Sequence, residues 1–503
     1  MKSIVVFGAG KSATCLIEYL VAETAKLEWQ LIVADGNLAA AESKTGKAAH
    51  TKAVAINVEN EPERRPLIKA ADIVISLLPP HLHILVAKDC LEEEKNLLTA
   101  SYVDPAIKEL APAIKEKSLL FIYEMGLDPG IDHMSAMQLI NNIHQEGGTI
   151  HSFKSHCGGL VAPESDDNPW HYKISWNPRN IVQAGKSGAL YKEEGEIISL
   201  PYEELFDAQK VVDIPELGYL SWYPNRDSLS YVPLYHLENA STFLRTTLRY
   251  PEFCFGWKNV IDLKLTDETV QYETDGMSLQ QFFQQHFNRY GFSDWLEKQL
   301  TDRFSKTKEL LEKLQQLLEA ENQVTPADRK DLQDFMMIDD NGALLDINLS
   351  TVKTKAAATV AGQMHEANLS MKQLFFLGMD DNETIINKGA CSALDVLQFA
   401  LEKKLALQPD DKDMIVMLHE FGYSIGNKKF ETRSSLVVKG KDNLRTAMAQ
   451  TVGLPLGIAA ILILKGKIPI SGLQIPVCKE IYEPVLAELV KNVIEFSEHT
   501  TSL

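Results

Sequence analysis

Ser3-Ile4-Val5-Val6-Phe7-Gly8-Ala9-Gly10-Lys11-Ser12-Ala13 stands near the start of the chain, and Leu31-Ile32-Val33-Ala34-Asp35 follows one helix later. The apolar run predicts a short strand that enters a Gly-x-Gly-x-x-Ala turn. Cys15, Leu16, Tyr19, Leu20 and Ala22 then recur at helical spacing. Each small residue has a separate reason. Gly8 permits the tight strand-to-helix turn, Gly10 lets backbone approach a pyrophosphate, and Ala13 lets helix and strand pack closely. A diphosphate would rest on the orphan N–H groups that open the helix. A bare Gly-rich turn is weak on its own. Placed between two strands, with an acid closing the second, it reads as a site for a nicotinamide or flavin nucleotide built from Gly8, Gly10, Lys11, Ser12, Ala13 and Asp35.

The alternation continues outward. Val54-Ala55-Ile56, Ile73 to Leu78 (halted by Pro79-Pro80), Asn96 to Ala100 and Leu119 to Tyr123 read as strands. Arg65 to Ala71, His83 to Glu93 and Pro105 to Lys117 read as the helices between them. Such a series predicts an α/β fold, a doubly wound parallel sheet of the Rossmann type, with ligands at the carboxyl ends of its strands. Those ends are Gly8 to Gly10, Asp35, Leu78 to Pro80, Ser101-Tyr102 and Gly126 to Asp128. After about residue 130 the pattern becomes mixed α/β, with Ile150 to Cys157 and Met414 to His419 as strands. Leu279 to Leu332 is charged and helical, carrying Leu310, Leu311, Leu314, Leu317 and Leu318 on one face. A buried helix is expected after Gly453-Leu454-Pro455, and an amphipathic one from Tyr482 to Phe496.

With 503 residues, two or three domains are expected. A net charge of −19 argues against nucleic acid or an anionic membrane as partner. No signal peptide or membrane span is expected; Gly453 to Leu464 is too short and contains Pro455. Six scattered cysteines, without Cys-x-x-Cys or zinc spacing, suit reduced thiols in the cytoplasm and no metal site.

Glu124-Met-Gly-Leu-Asp128-Pro-Gly-Ile-Asp132-His133 packs turn formers and ionisable groups just after a strand. Asp132 could cap the next helix; Asp128, ahead of Pro-Gly, suits that role less. Ser155-His156-Cys157-Gly158-Gly159 reads as a strand delivering His and Cys into a Gly-Gly turn, without the pattern of a thiol protease. Tyr223 to Ser228 and Arg245 to Tyr250 set arginines beside aromatics. Their planar forks suit a substrate with several carboxylates, although a lone arginine is more often a surface ion-pair partner.

Together these strings resemble saccharopine dehydrogenases of the L-glutamate-forming type. Ser76-Leu77-Leu78-Pro79, Thr99 to Val103, Gly126 to His133, Cys157 to Leu160, Lys173 to Trp176, Tyr223 to Ser228, Thr247 to Tyr250, Thr451 to Pro455 and Lys479 to Tyr482 fall in the family's order across nearly the whole chain, the charged segment 279–332 excepted. The resemblance implies a Rossmann domain over 1–130 with a return at 450–503. It also implies a saccharopine-binding and dimerisation domain (131–275 and 340–449) and a small helical domain (276–339) closing over the cleft. By matching strings, Ser101, Tyr102, Asp128, Arg226, Thr247, Leu248 and Arg249 would touch saccharopine; Leu78, Leu127, Asp128, Pro129 and Ser175 would join the nucleotide site. The implied reaction oxidises a C–N bond and releases glutamate and 2-aminoadipate 6-semialdehyde in a cytoplasmic homodimer. Because the imine is hydrolysed through a carbinolamine, an acid/base group is required, and Asp128, Cys157 and Tyr102 are the candidates in that order. The family's habit favours NADP. Asp35 departs from it, since a carboxylate there accepts a ribose 2′-OH and repels a 2′-phosphate, favouring NAD, with Lys11 and Lys44 the basic residues that could still hold a phosphate. Competing readings are a related imine reductase, such as a carboxynorspermidine synthase, and a non-catalytic nucleotide sensor.

Overall fold

Fully buried Ser3–Phe7 (β1) lies at the middle of a parallel sheet, which is why it carries no polar alternation. The computed structural model describes residues 1–297 and 368–503, and the backbone of a hairpin formed by Asp334–Ile338 and Leu344–Asn348. The remaining strands of the first sheet are Gln30–Asp35 (β2), Thr51–Ala55 (β3), Ile73–Ser76 (β4), Asn96–Thr99 (β5) and Leu120–Ile122 (β6). With Gly472–Gln474 they form seven parallel strands in the order 472–474, β6, β5, β4, β1, β2, β3. The order reverses between β1 and β4, so a crevice opens at their carboxyl ends. Helices Thr14–Leu27 (α1), Leu38–Thr45 (α2), Glu61–Ala70 (α3), His83–Glu92 (α4) and Pro105–Glu116 (α5) connect them. A buried ion pair, Arg64 Nε to Asp89 at 2.7 Å, ties α3 to α4.

Ile131–Gln145 (α6) leads into the second sheet, whose strands are Gly148–Val161 (β7), Ala189–Glu193 (β8), Glu196–Leu200 (β9), Val211–Ile214 (β10), Gly218–Pro224 (β11) and Thr242–Arg249 (β12). A long hairpin, Asp413–Ile425 with Lys428–Lys439, and the edge strand Ser497–Ser502 complete nine strands. Only β12 with β7 is parallel; the other pairings are antiparallel. One apolar core runs from α1 through α6 to the inner face of this sheet, including Phe153, Cys157, Phe243, Met417 and Phe421. Leu160, Leu248, Met414, Val416 and Leu418 form a separate cluster on the outer face.

Several elements depart from the sequence pattern. Gly158-Gly159 is not a turn but lies inside β7. A Cβ on Gly158 would sit 2.5 Å from the Leu248 carbonyl, so the glycine is required by close approach of β12. The buried helix is Ala447–Leu464; it starts before Pro455 and runs through it. Thr446 caps it, and the Asp413 carboxylate accepts the N–H groups of Ala447 (2.5 Å) and Met448 (3.0 Å). By length and composition this helix could cross a membrane, but it is mostly buried in the protein core. The last helix is Lys479–Lys491, and Ser497–Ser502 then joins the second sheet instead of continuing a return to the first.

Two compact units result: Met1–Phe255 with Leu405–Leu503, which holds both sheets, and Gly256–Lys404. The second unit is wider than the 276–339 helical segment and includes strands. Gln271–Glu273 pairs with Ala390–Ser392, and 334–338, inside the expected helical stretch, forms a hairpin with 344–348. Its helix Leu279–Tyr290 begins with a capping box of Ser278 and Gln281 and buries Phe282, Phe283 and His286. The leucine stripe Leu310 to Leu318 lies outside the described residues.

Candidate active site

The first turn after β1 has the features a diphosphate needs. Gly8 has a positive φ of 103°, and a Cβ there would sit 2.6 Å from the Leu77 carbonyl. At Gly10 a Cβ would meet nothing within 4 Å, so the chain leaves open space beside the backbone. Lys11–Ala13 starts the helical run without a side-chain cap, leaving its first N–H groups free for an anion. Next to this turn a cavity of about 650 Å³ opens at the ends of β1 to β4, lined by Phe7, Asp35, Ile56, Leu78 and Pro79 among others. Its size suits the adenosine end of a dinucleotide. Ser175 is buried, its hydroxyl bonded to the Asp413 carboxylate.

The loops after β5 and β6 are locked together. Glu124 N–H donates to Ser101 and Met125 N–H to Thr99. Gly126 N–H donates to the Pro129 carbonyl, the Asp128–Pro129 peptide is cis, and Gly130 fits only because its Cβ is missing (2.0 Å from the Gly126 carbonyl). This tight loop fixes Leu127 and Pro129 in buried positions and leaves Asp128 partly open. Ser101 is held in turn by His83, whose Nε2 lies 2.7 Å from its hydroxyl and whose Nδ1 lies 2.8 Å from Ser76. Burial lowers the His83 imidazole to about 4, so it is neutral at physiological pH.

Strand periodicity supplies the opposite wall. Arg245, Thr247 and Arg249 alternate on β12, so all three share one face. Register places Thr247 opposite Cys157 and Arg245 opposite Ser155. One Arg245 nitrogen donates to both Asp128 and Asp132 at 2.7 Å, while its guanidinium lies over the Tyr231 ring. Asp132, in the first turn of α6, also accepts the Gly130 N–H at 2.6 Å, and the helix has no side-chain cap, so neither Asp132 nor Asp128 caps it. Burial and the like charge of Asp132 outweigh Arg245 and raise the Asp128 carboxyl to about 6. For Asp132, burial is overcome by His133, Arg245 and the Gly130 N–H, which hold it below the usual carboxylate range.

Arg249 is buried and has no carboxylate partner among the described residues. It donates to the carbonyls of Leu248 (2.8 Å) and Gly159 (3.4 Å), stacks near Tyr172 and Phe253, and leaves its Nε without a partner. A buried guanidinium without a counterion is a costly feature unless an anion completes it. Arg226 is exposed, at a φ of 52°, with its guanidinium 5.0 Å from the Tyr102 ring. Cys157 lies between the groups, its thiol influenced by both Asp128 and Arg249.

Asp128, Tyr102, Cys157, Arg226 and Arg249 therefore share one neighbourhood. Burial pushes the Cys157 thiol and the Tyr102 hydroxyl up, which disfavours either as a base near neutrality. One expectation needs correction. The Leu248 side chain belongs to the outer apolar cluster, and only its carbonyl faces Arg249. Sequence reading names Arg245 in the 245–250 string but gives it no site role, although its two-residue spacing from Thr247 carries the signal. It also missed the support behind the site: Glu124 accepts from Tyr231 (3.1 Å) and lies 3.0 Å from His133, which contacts Tyr235 at 2.6 Å. Those partners are distant in sequence and leave no local pattern. No group of metal ligands occurs among the described residues.

Residues 4–122 match a family model described as the saccharopine dehydrogenase NADP binding domain, and 126–360 with 342–494 match the saccharopine dehydrogenase C-terminal domain. The chain is 31% identical over 490 residues to the saccharopine dehydrogenase [NADP(+), L-glutamate-forming] of Saccharomyces cerevisiae, covering 97% of this chain and 96% of the relative. It is 32% identical over 504 residues to the mitochondrial alpha-aminoadipic semialdehyde synthase of Bos taurus, covering 99% of this chain but spanning 48% of that relative. A solved structure of apo saccharopine dehydrogenase (L-Glu forming) from S. cerevisiae superposes with a TM-score of 0.77 at 28% identity, covering all of both chains. With both halves of its length matched by that family's domains, the chain belongs to the saccharopine dehydrogenase family.

Proposed function

We propose that this protein oxidises saccharopine at its secondary amine with a nicotinamide nucleotide, releasing L-glutamate and 2-aminoadipate 6-semialdehyde, and that it also runs the reverse reaction. The observation that carries the reading is Arg249, a buried cation without a counterion, in one neighbourhood with Asp128 at the strand ends of a dinucleotide fold. Saccharopine carries three carboxylates, and Arg249 and Arg226 are two guanidinium groups open to receive them. Ser101, fixed by neutral His83, and Thr247, bonded to Tyr223, add oriented hydroxyls.

When bound, the nicotinamide ring supplies the hydride acceptor. The chain's own residues orient the amine and move protons. Asp128 takes the proton that water loses as it adds to the iminium carbon, returns it to nitrogen, and takes up the carbinolamine hydroxyl proton as the C–N bond breaks and the aldehyde forms. Arg245 holds that carboxylate in place and stabilises its anionic form. Tyr231 and Tyr235 fill the wall behind Arg245 and His133, which shields the cluster from bulk water. The family resemblance extends the reading to a cytoplasmic homodimer, and light scattering on the purified chain tests the assembly.

Incubation with saccharopine and either oxidised nucleotide tests the reaction. Formation of glutamate with reduced nucleotide is expected. Formation of lysine and 2-oxoglutarate would mean oxidation on the other side of nitrogen and would refute it.

A further inference from the structure

The adenosine-end cavity has a one-sided charge. Asp35, Glu59 and Glu63 line it, and no lysine or arginine does. Asp35 is fixed at the end of β2, because its two oxygens accept the N–H groups of Ala9 and Asn37, each at 2.7 Å. Swinging it away from an incoming phosphate would cost both bonds. Glu63 is similarly tied, accepting from Asn57 N–H and from the Asn60 side chain. Lys44 donates to the Gly10 carbonyl and lies within electrostatic reach of Asp35, but it is not part of the cavity lining.

Resting on the nicotinamide-enzyme reading above, we propose that this chain selects NAD(H) over NADP(H), unlike its relatives whose names specify NADP(+). Asp35 can accept the ribose 2′-OH of NAD. A 2′-phosphate in its place brings close to two negative charges into a cavity walled by three carboxylates, with no cation in the lining to neutralise them. At an effective dielectric suited to a protein surface, that repulsion corresponds to roughly a hundredfold weaker binding of the phosphorylated nucleotide.

The test is calorimetric titration of the full purified chain with NADH and with NADPH, without substrate. NADH is expected to bind about a hundredfold more tightly. Asp35→Asn keeps the side chain's shape and removes its charge, so it should narrow the ratio to about tenfold or less, mainly by tightening NADPH. Glu59 is exposed and outside the Asp35 turn, so Glu59→Gln guards against a folding artefact; it should tighten NADPH severalfold and NADH by less. Equal or tighter binding of NADPH by the unaltered chain would overturn the proposal, as would a ratio that neither substitution moves. Binding of neither nucleotide would overturn the functional reading and this inference with it.

Discussion

In the proposed reaction the proton transfer falls to Asp128. With a carboxyl at about 6, it must be ionised to accept a proton, so kcat/KM for saccharopine oxidation should rise with pH through about 6 and then level. Asp128→Asn should lose at least about a hundredfold in kcat and abolish that limb. Arg245→Lys keeps a positive charge but loses the guanidinium nitrogen that donates to both carboxylates. The limb should then move upward by about one unit, because the ionised form loses its donor. A pH profile unchanged in both variants would remove Asp128 from the proton transfer. For the substrate clamp, Arg249→Lys should raise KM by about thirtyfold or more while changing kcat less, since it removes planar carboxylate binding. Steady-state kinetics with varied saccharopine checks the split.

At the scale of elements, the glycines separate scaffold from site. Gly8→Ala should destabilise the chain by about 1–3 kcal/mol, because it combines a positive φ with contact against the Leu77 carbonyl. Gly10→Ala should leave thermal stability nearly unchanged and weaken nucleotide binding at least about tenfold, because its Cβ would occupy the space left for the diphosphate. A second contrast lies in β7. Gly158→Ala presses on the Leu248 backbone and should cost about 1–3 kcal/mol and disturb Arg249, whereas Gly159→Ala meets only the flexible end of Met448 and should be tolerated. Denaturant midpoints beside calorimetric binding distinguish all four variants.

Across the whole molecule, the parallel sheet was legible because each buried strand announces itself as an apolar run and each turn by its small residues. Asp128 and Arg249 were legible through motif resemblance. The relations between them were not. The Arg245 contacts to Asp128 and Asp132 and the orphaned Arg249 depend on segments roughly a hundred residues apart, which no local window contains, and the His83 link to Ser101 joins the ends of two neighbouring strands. Two elements were misread for local reasons: Gly158-Gly159 looks like a turn until the neighbouring carbonyl is placed, and Pro455 looks like a helix start until the Thr446 and Asp413 caps are seen.

In the proposed reaction hydride leaves the carbon joining the aminoadipate chain to nitrogen, beside Asp128 and Arg249. Saccharopine deuterated at that ε-methylene, with recovered nucleotide and amino-acid products analysed by mass spectrometry, tests this directly. Deuterium on the reduced nicotinamide, with glutamate formed in equal amount, is expected. Unlabelled nucleotide accompanied by free lysine, or no turnover with nucleotide bound, would contradict it.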